Sequence, residues 1–97
     1  MKEIIVHHDA EIELWKAVQY YEQQKSGLGL DLEKEIRQAL PKIQKSPNRW
    51  PKKIQDTRRY LLKKFPFAIY YLELCDSIWI VAYAHTRRRP FYWKYRI

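Results

Sequence analysis

An α+β fold is predicted: an N-terminal strand, a long antiparallel two-helix hairpin, and an antiparallel sheet of about four strands on which the hairpin packs. Three observations predict it. Apolar residues recur at helical spacing through most of residues 10–43. Both glycines of the chain, Gly27 and Gly29, fall where that spacing must break. Beyond Thr57 the pattern changes to short β-branched and aromatic runs divided by turn residues. A chain of 97 residues with 46% hydrophobic and 15% aromatic content supports one domain, residues 1–97, with one modest core.

Each element has its own justification. Ile4-Ile5-Val6 is a β-branched run and the expected first strand. His7 and His8 leave that strand on opposite sides, so they make poor joint ligands. Asp9 is the expected N-cap of the first helix, with Glu11 and Glu13 in the turn where the helix dipole favours negative charge. Ala10, Leu14, Ala17, Val18 and Tyr21 form its apolar face, and it should run to about Gln24. Ser26-Gly27-Leu28-Gly29 joins helix to helix. It lacks the lysine context of a phosphate loop.

The second helix is marked by Leu28, Leu32, Ile36, Leu40 and Ile43. Pro41 falls inside that pattern and is expected to kink or divide the helix near residue 40. Ser46–Pro51 has the composition of a loop, with Trp50 expected to fold back over the core. Strands are expected at about residues 57–62, 67–74 and 78–84, the last two joined by the turn Cys75-Asp76-Ser77. Strict alternation in the last run puts Ile78, Ile80, Ala82 and Ala84 on one face, with Trp79, Val81, Tyr83 and His85 on the other. Both faces are apolar, so helices should cover one face and a second layer the other.

Composition excludes several classes. No apolar run approaches the roughly 20 residues that span a bilayer. The first residues turn polar too soon for a secretory signal. The single cysteine, Cys75, forms no internal disulfide, which suits a reducing cytosol. One cysteine and scattered histidines give no zinc pattern, and no metal or cofactor is expected.

Charge is more informative. Residues 1–40 carry five Lys/Arg and eight Asp/Glu, a balance of −3. Residues 41–97 carry fourteen Lys/Arg and three Asp/Glu, a balance of +11, which together make the net +8. The positive charge thus belongs to the sheet half, and it is interleaved with aromatics. That pattern favours a polyanionic partner over a basic face that serves only solubility.

The last strand empties into the candidate site. His85 is a candidate general acid or base near neutral pH. Arg88 and Arg89 are candidates to stabilise charge on a phosphate, with Arg87 beside them. Tyr92 can stack on a base or orient a nucleophile. Arg59, Lys94 and Arg96 are candidate target contacts. Each has a plainer reading: His85 as a strand end, the arginine run as a docking patch, Tyr92-Trp93 as packing.

At this point the residues resemble a family. Tyr20-Tyr21-Glu22 with Gly27-Leu28-Gly29, Pro47 with Trp50-Pro51, and Arg58-Arg59 with Leu61-Leu62 are the first carriers. Phe65-Pro66-Phe67 with Ile69-Tyr70-Tyr71, then Ala84-His85 with Arg88-Arg89-Pro90 and Tyr92-Trp93, complete the set. In this order, over nearly the whole chain, they resemble the RelE/ParE superfamily of bacterial type II toxin–antitoxin systems, in particular the subgroup called plasmid stabilisation proteins. The resemblance implies a cytoplasmic bacterial toxin that arrests growth, neutralised in a hetero-oligomer with a cognate antitoxin. It implies one of two targets. ParE-like members bind DNA gyrase and poison it, without catalysis. RelE-like members are metal-independent, ribosome-dependent mRNA endoribonucleases.

One departure bears on that choice. RelE-like nucleases resemble one another in an arginine early in the strand that here reads Phe67-Ala68-Ile69-Tyr70-Tyr71. This chain has Ala68 at about that place, and alanine cannot stabilise a pentavalent phosphate. Ala68 and the long hairpin favour the gyrase inhibitor; His85 with its arginines favours the ribonuclease.

Overall fold

The structure is a computed structural model that describes residues 1–97. Strand β1 (Glu3–Val6) leads directly into helix α1 (His8–Gln24), and helix α2 (Leu28–Lys45) returns antiparallel to it. Strands β2 (Arg58–Leu61), β3 (Phe67–Glu73) and β4 (Ser77–His85) follow, and a 3₁₀ helix, η1 (Tyr92–Arg96), comes last. No helix is long and apolar enough to cross a membrane.

Both helices bury the faces their periodicity marks. Ala10, Leu14 and Ala17 of α1 and Leu32, Ile36, Ala39 and Ile43 of α2 are buried, with Val18, Tyr21, Leu28 and Leu40 packed beside them. The turn between the helices depends on its glycines. Gly27 takes φ +89°, a left-handed conformation that other residues reach only with strain. A Cβ on Gly29 would stand 2.4 Å from the Val18 carbonyl, so the helices cross where only glycine fits. Glu22 closes the turn by accepting from the Gly27 and Gly29 amides at 2.9 and 3.0 Å.

Two local expectations are corrected. The N-cap is His7, whose Nδ1 accepts from the Asp9 amide at 3.0 Å. His7 still donates its own amide to Ile80 at the end of β1, so strand passes to helix without a spacer and Asp9 falls inside the first turn. Pro41 does not divide α2, which is continuous from Leu28 to Lys45. Pro41 and Arg37 both lie on the exposed side of the helix, so the backbone bond that proline cannot make is lost at the surface rather than in the core.

The sheet has the order β1-β4-β3-β2 and is mixed: β1 runs parallel to β4, and the other pairs are antiparallel. The two-helix crossover from β1 places β1 beside the last strand rather than beside its sequence neighbour. In β4, Ile80 pairs with Tyr71 and Ala82 with Tyr70, which leaves Val81 as an extra residue. This bulge overturns the expected alternation. Ile78 and Ile80 face the helices, and so do Tyr83 and His85, paired with Ile69 and Phe67. Ala82 and Ala84 turn instead to the opposite face, where they join Val81 and Trp93. Tyr83 is buried, as a covered face requires.

The helices cover the first face, over a core that includes Ile69, Tyr71, Ile78 and Ile80. Trp50 does fold back, its ring 4.9 Å from that of Tyr60. The Tyr71 hydroxyl donates to the Pro47 carbonyl at 2.6 Å, and burial pushes its pKa up to about 12. The opposite face is covered by η1: Trp93 is 1% exposed and its ring lies 4.5 Å from Tyr70. Ile54 from the loop before β2 packs against the same cluster.

Candidate functional site

β1 pairs with β4 only as far as Ile80. Beyond it, side chains take over the strand's outer edge. The Glu13 carboxylate accepts from the Tyr83 amide at 3.2 Å. The Arg96 guanidinium donates to the bulged Val81 carbonyl at 3.1 Å. Arg96 and Glu13 then pair bidentately, at 2.9 and 3.1 Å, and Tyr92 donates its hydroxyl to the same carboxylate. Asp9, one turn before Glu13, accepts from the Tyr95 hydroxyl at 2.8 Å. α1 and η1 are thereby fastened across the end of β4.

Electrostatics follow from this geometry. Burial works against the Arg96 charge, but its hydrogen bonds to Glu13 and Tyr95 more than offset it, and its pKa moves up. Burial raises Tyr92 well above the usual phenol range, with the Glu13 hydrogen bond adding to the effect. The Tyr95 hydroxyl holds Asp9 below the ordinary carboxylate range, helped by the Arg96 charge.

The sequence-predicted residues divide into three groups. Arg59, His85, Arg88, Arg89 and Tyr92 come together around a cavity of about 150 Å³ on the helix-free face. Arg96 is turned inward instead, its side chain only 5% exposed, and is spent on Glu13. Arg87 and Lys94 are exposed and line neither this cavity nor the groove described below. The Arg87 amide donates to His85 Nδ1 at 3.0 Å, which leaves Nε2 to carry the proton of the neutral ring. The Arg88 guanidinium lies 4.0 Å from the Tyr92 ring centroid, a close cation–π contact.

A wider groove of about 670 Å³ runs between α1 and the end of β4. Ile12, Tyr20, Tyr21 and Phe67 supply apolar walls, and Lys16 and Arg88 supply charge. His85 borders both cavities, its ring 5.2 Å from Phe67. Sequence reasoning did not single out Glu13 beyond its place in the helix dipole, nor Lys53 or Tyr95. Glu13 stands 83 positions from its partner Arg96, and no local spacing announces such a pair.

No group of three or more His, Cys, Asp or Glu side chains is placed to hold a metal ion. Ala68 is 1% exposed, paired with Leu61 on one side and Ala84 on the other. Position 68 thus presents no side chain beyond a methyl group.

Among solved structures, this architecture matches a chain of the "Chromosomal ParDE TA system from P. aeruginosa", with a TM-score of 0.75 and 18% identity. The match covers 88% of this chain and 96% of that one. The fold is that of a ParDE-system protein. The sheet that carries the Arg59–His85 cavity and the hairpin that carries Glu13 are therefore parts of a fold already found in a toxin–antitoxin structure. No protein-family model matches the sequence, and no curated protein matches it.

Proposed function

We propose that this chain is the toxin of a bacterial type II toxin–antitoxin pair and arrests growth in the ParE manner, by binding DNA gyrase in the cytoplasm and stabilising its cleaved DNA. The likeness in fold to a ParDE-system chain supports the toxin reading. Within that reading, the observation that favours a gyrase inhibitor is the state of the sheet site. Ala68 offers nothing to a phosphate, and Tyr92 and Arg96 are both engaged by Glu13. A nuclease needs groups free to meet a phosphate and move protons in the transition state. Here Tyr92 and Arg96 are not free to do so, and position 68 supplies no cation. A cognate antitoxin neutralises the toxin in a hetero-oligomer.

The second reading, a ribosome-dependent mRNA endoribonuclease, draws on one observation: His85 and Arg88 share a cavity with Arg59 and Arg89. Induction without antitoxin separates the two. The gyrase reading expects growth arrest with gyrase-linked DNA breaks, intact mRNA, and full toxicity in a folded His85→Ala variant. Cleaved mRNA in the parent, with toxicity lost in that variant, would overturn it.

A further inference from the structure

The cavity on the helix-free face has an unusual electrostatic composition. Lys53, Arg59, Arg88 and Arg89 line it with His85, and none of its lining residues is acidic. None of these four cations takes part in an ion pair. The Nε of Arg59 is buried and has no hydrogen-bond partner. Buried polar atoms are ordinarily satisfied, so a guanidinium held this way lacks an acceptor. Elsewhere the fold provides carboxylates for its buried cation, as it does for Arg96. Here it provides none.

The walls narrow the choice of ligand. Proteins that read single strands offer free aromatic faces on which bases stack. In this cavity the Tyr70 and Trp93 rings pack against each other, and Arg88 covers Tyr92. Phe91 is 37% exposed but meets Trp93 edge to face at 5.7 Å. What remains available is charge, and a space of about 150 Å³ suits one compact anion.

We propose that this cavity binds a backbone phosphate of duplex DNA, with Arg59 and Arg89 as its main contacts, so that the protein grips nucleic acid independently of any protein target. DNA binding itself rests on the cavity alone. Its role, anchoring the toxin beside the DNA that gyrase holds, rests on the function proposed above.

The test uses the full-length chain and a short fluorescently labelled DNA duplex, with anisotropy followed against salt. Binding is expected to weaken steeply with salt. Arg59→Gln and Arg89→Gln should each weaken it several-fold and reduce the slope of log K against log salt by about 0.9, the contribution of one phosphate contact. Lys34→Gln, on α2 across the molecule, should change neither. Circular dichroism verifies that each variant is folded, and Arg89, being exposed, keeps the test valid if Arg59→Gln does not fold.

Competition with single-stranded RNA and with inorganic phosphate distinguishes the sources. Tighter binding to RNA, competition by inorganic phosphate as effective as by DNA, or slopes unaltered in both arginine variants would each overturn the proposal. Gyrase supercoiling is measured on the same proteins. Inhibition that persists when DNA binding is absent removes the cavity's role and leaves the gyrase reading intact. DNA binding without any effect on gyrase does the reverse.

Discussion

Glu13 carries more of the structure than any other charged residue. Its carboxylate satisfies the Arg96 guanidinium, the Tyr92 hydroxyl and the Tyr83 amide. Removing one partner of such a pair leaves the other charge buried and uncompensated. Glu13→Ala is therefore expected to destabilise the fold by about 3 kcal/mol, near the lower end of that class because the site is not wholly dry. Arg96→Met in the same background should recover part of the loss, which a double-mutant cycle by urea denaturation measures. Asp9 makes the matching prediction for pH. Its folded pKa is depressed, so its contribution is present above the unfolded value of about 3.9 and is lost as pH falls through the lower folded value. The acid limb of a thermal-stability profile should lose this component in Tyr95→Phe, while the neutral region is much less affected.

At the scale of elements, the hairpin turn predicts two unequal glycine effects. Gly29→Ala puts a Cβ against backbone that cannot rotate away, and overpacking of this kind typically costs about 1–3 kcal/mol. Gly27→Ala meets nothing within 4 Å and bears only the left-handed strain, about 1 kcal/mol. Thermal melts of the two variants should rank in that order. The helices were legible in the sequence because Leu32, Ile36 and Ile43 recur at a period that only a helix satisfies. The β4 bulge was not. Bulges are often marked by glycine, whereas this one occurs at Val81 within an unbroken apolar run, and a period-two reading passes straight through it. The candidate cluster was legible in part. His85, Arg88 and Arg89 are close in sequence and stay close in space, and Arg59 joins them by strand pairing. The inward turn of Arg96, a candidate target contact by sequence, was not legible because its acidic partner belongs to the opposite end of the chain.

For the whole molecule, charge divides along the chain, residues 1–40 against residues 41–97. The helical half carries −3 and the half containing most of the sheet carries +11. A polyanion should therefore meet the helix-free face first, steered by a field that salt screens over about 10 Å at 0.1 M. Titration with heparin, followed by amide chemical shifts, is expected to perturb Arg59, Arg88 and Arg89 before residues of α2. Perturbation centred on α2 would contradict this polarity.

The hand-over along the edge of β4 has a consequence for time as well as shape. As far as Ile80 the strand is held on that side by β1, main chain to main chain; from Val81 onward it is held by two side chains. Side chains release without any strand unpairing. The Tyr83 amide should therefore exchange its hydrogen with solvent whenever the Glu13 carboxylate lets go of it, whereas amides bonded between β1 and the first half of β4 wait for the sheet itself to open. The residues beyond that boundary lead to His85 and the arginines. The end of the strand that presents the basic cluster is thus the end free to breathe.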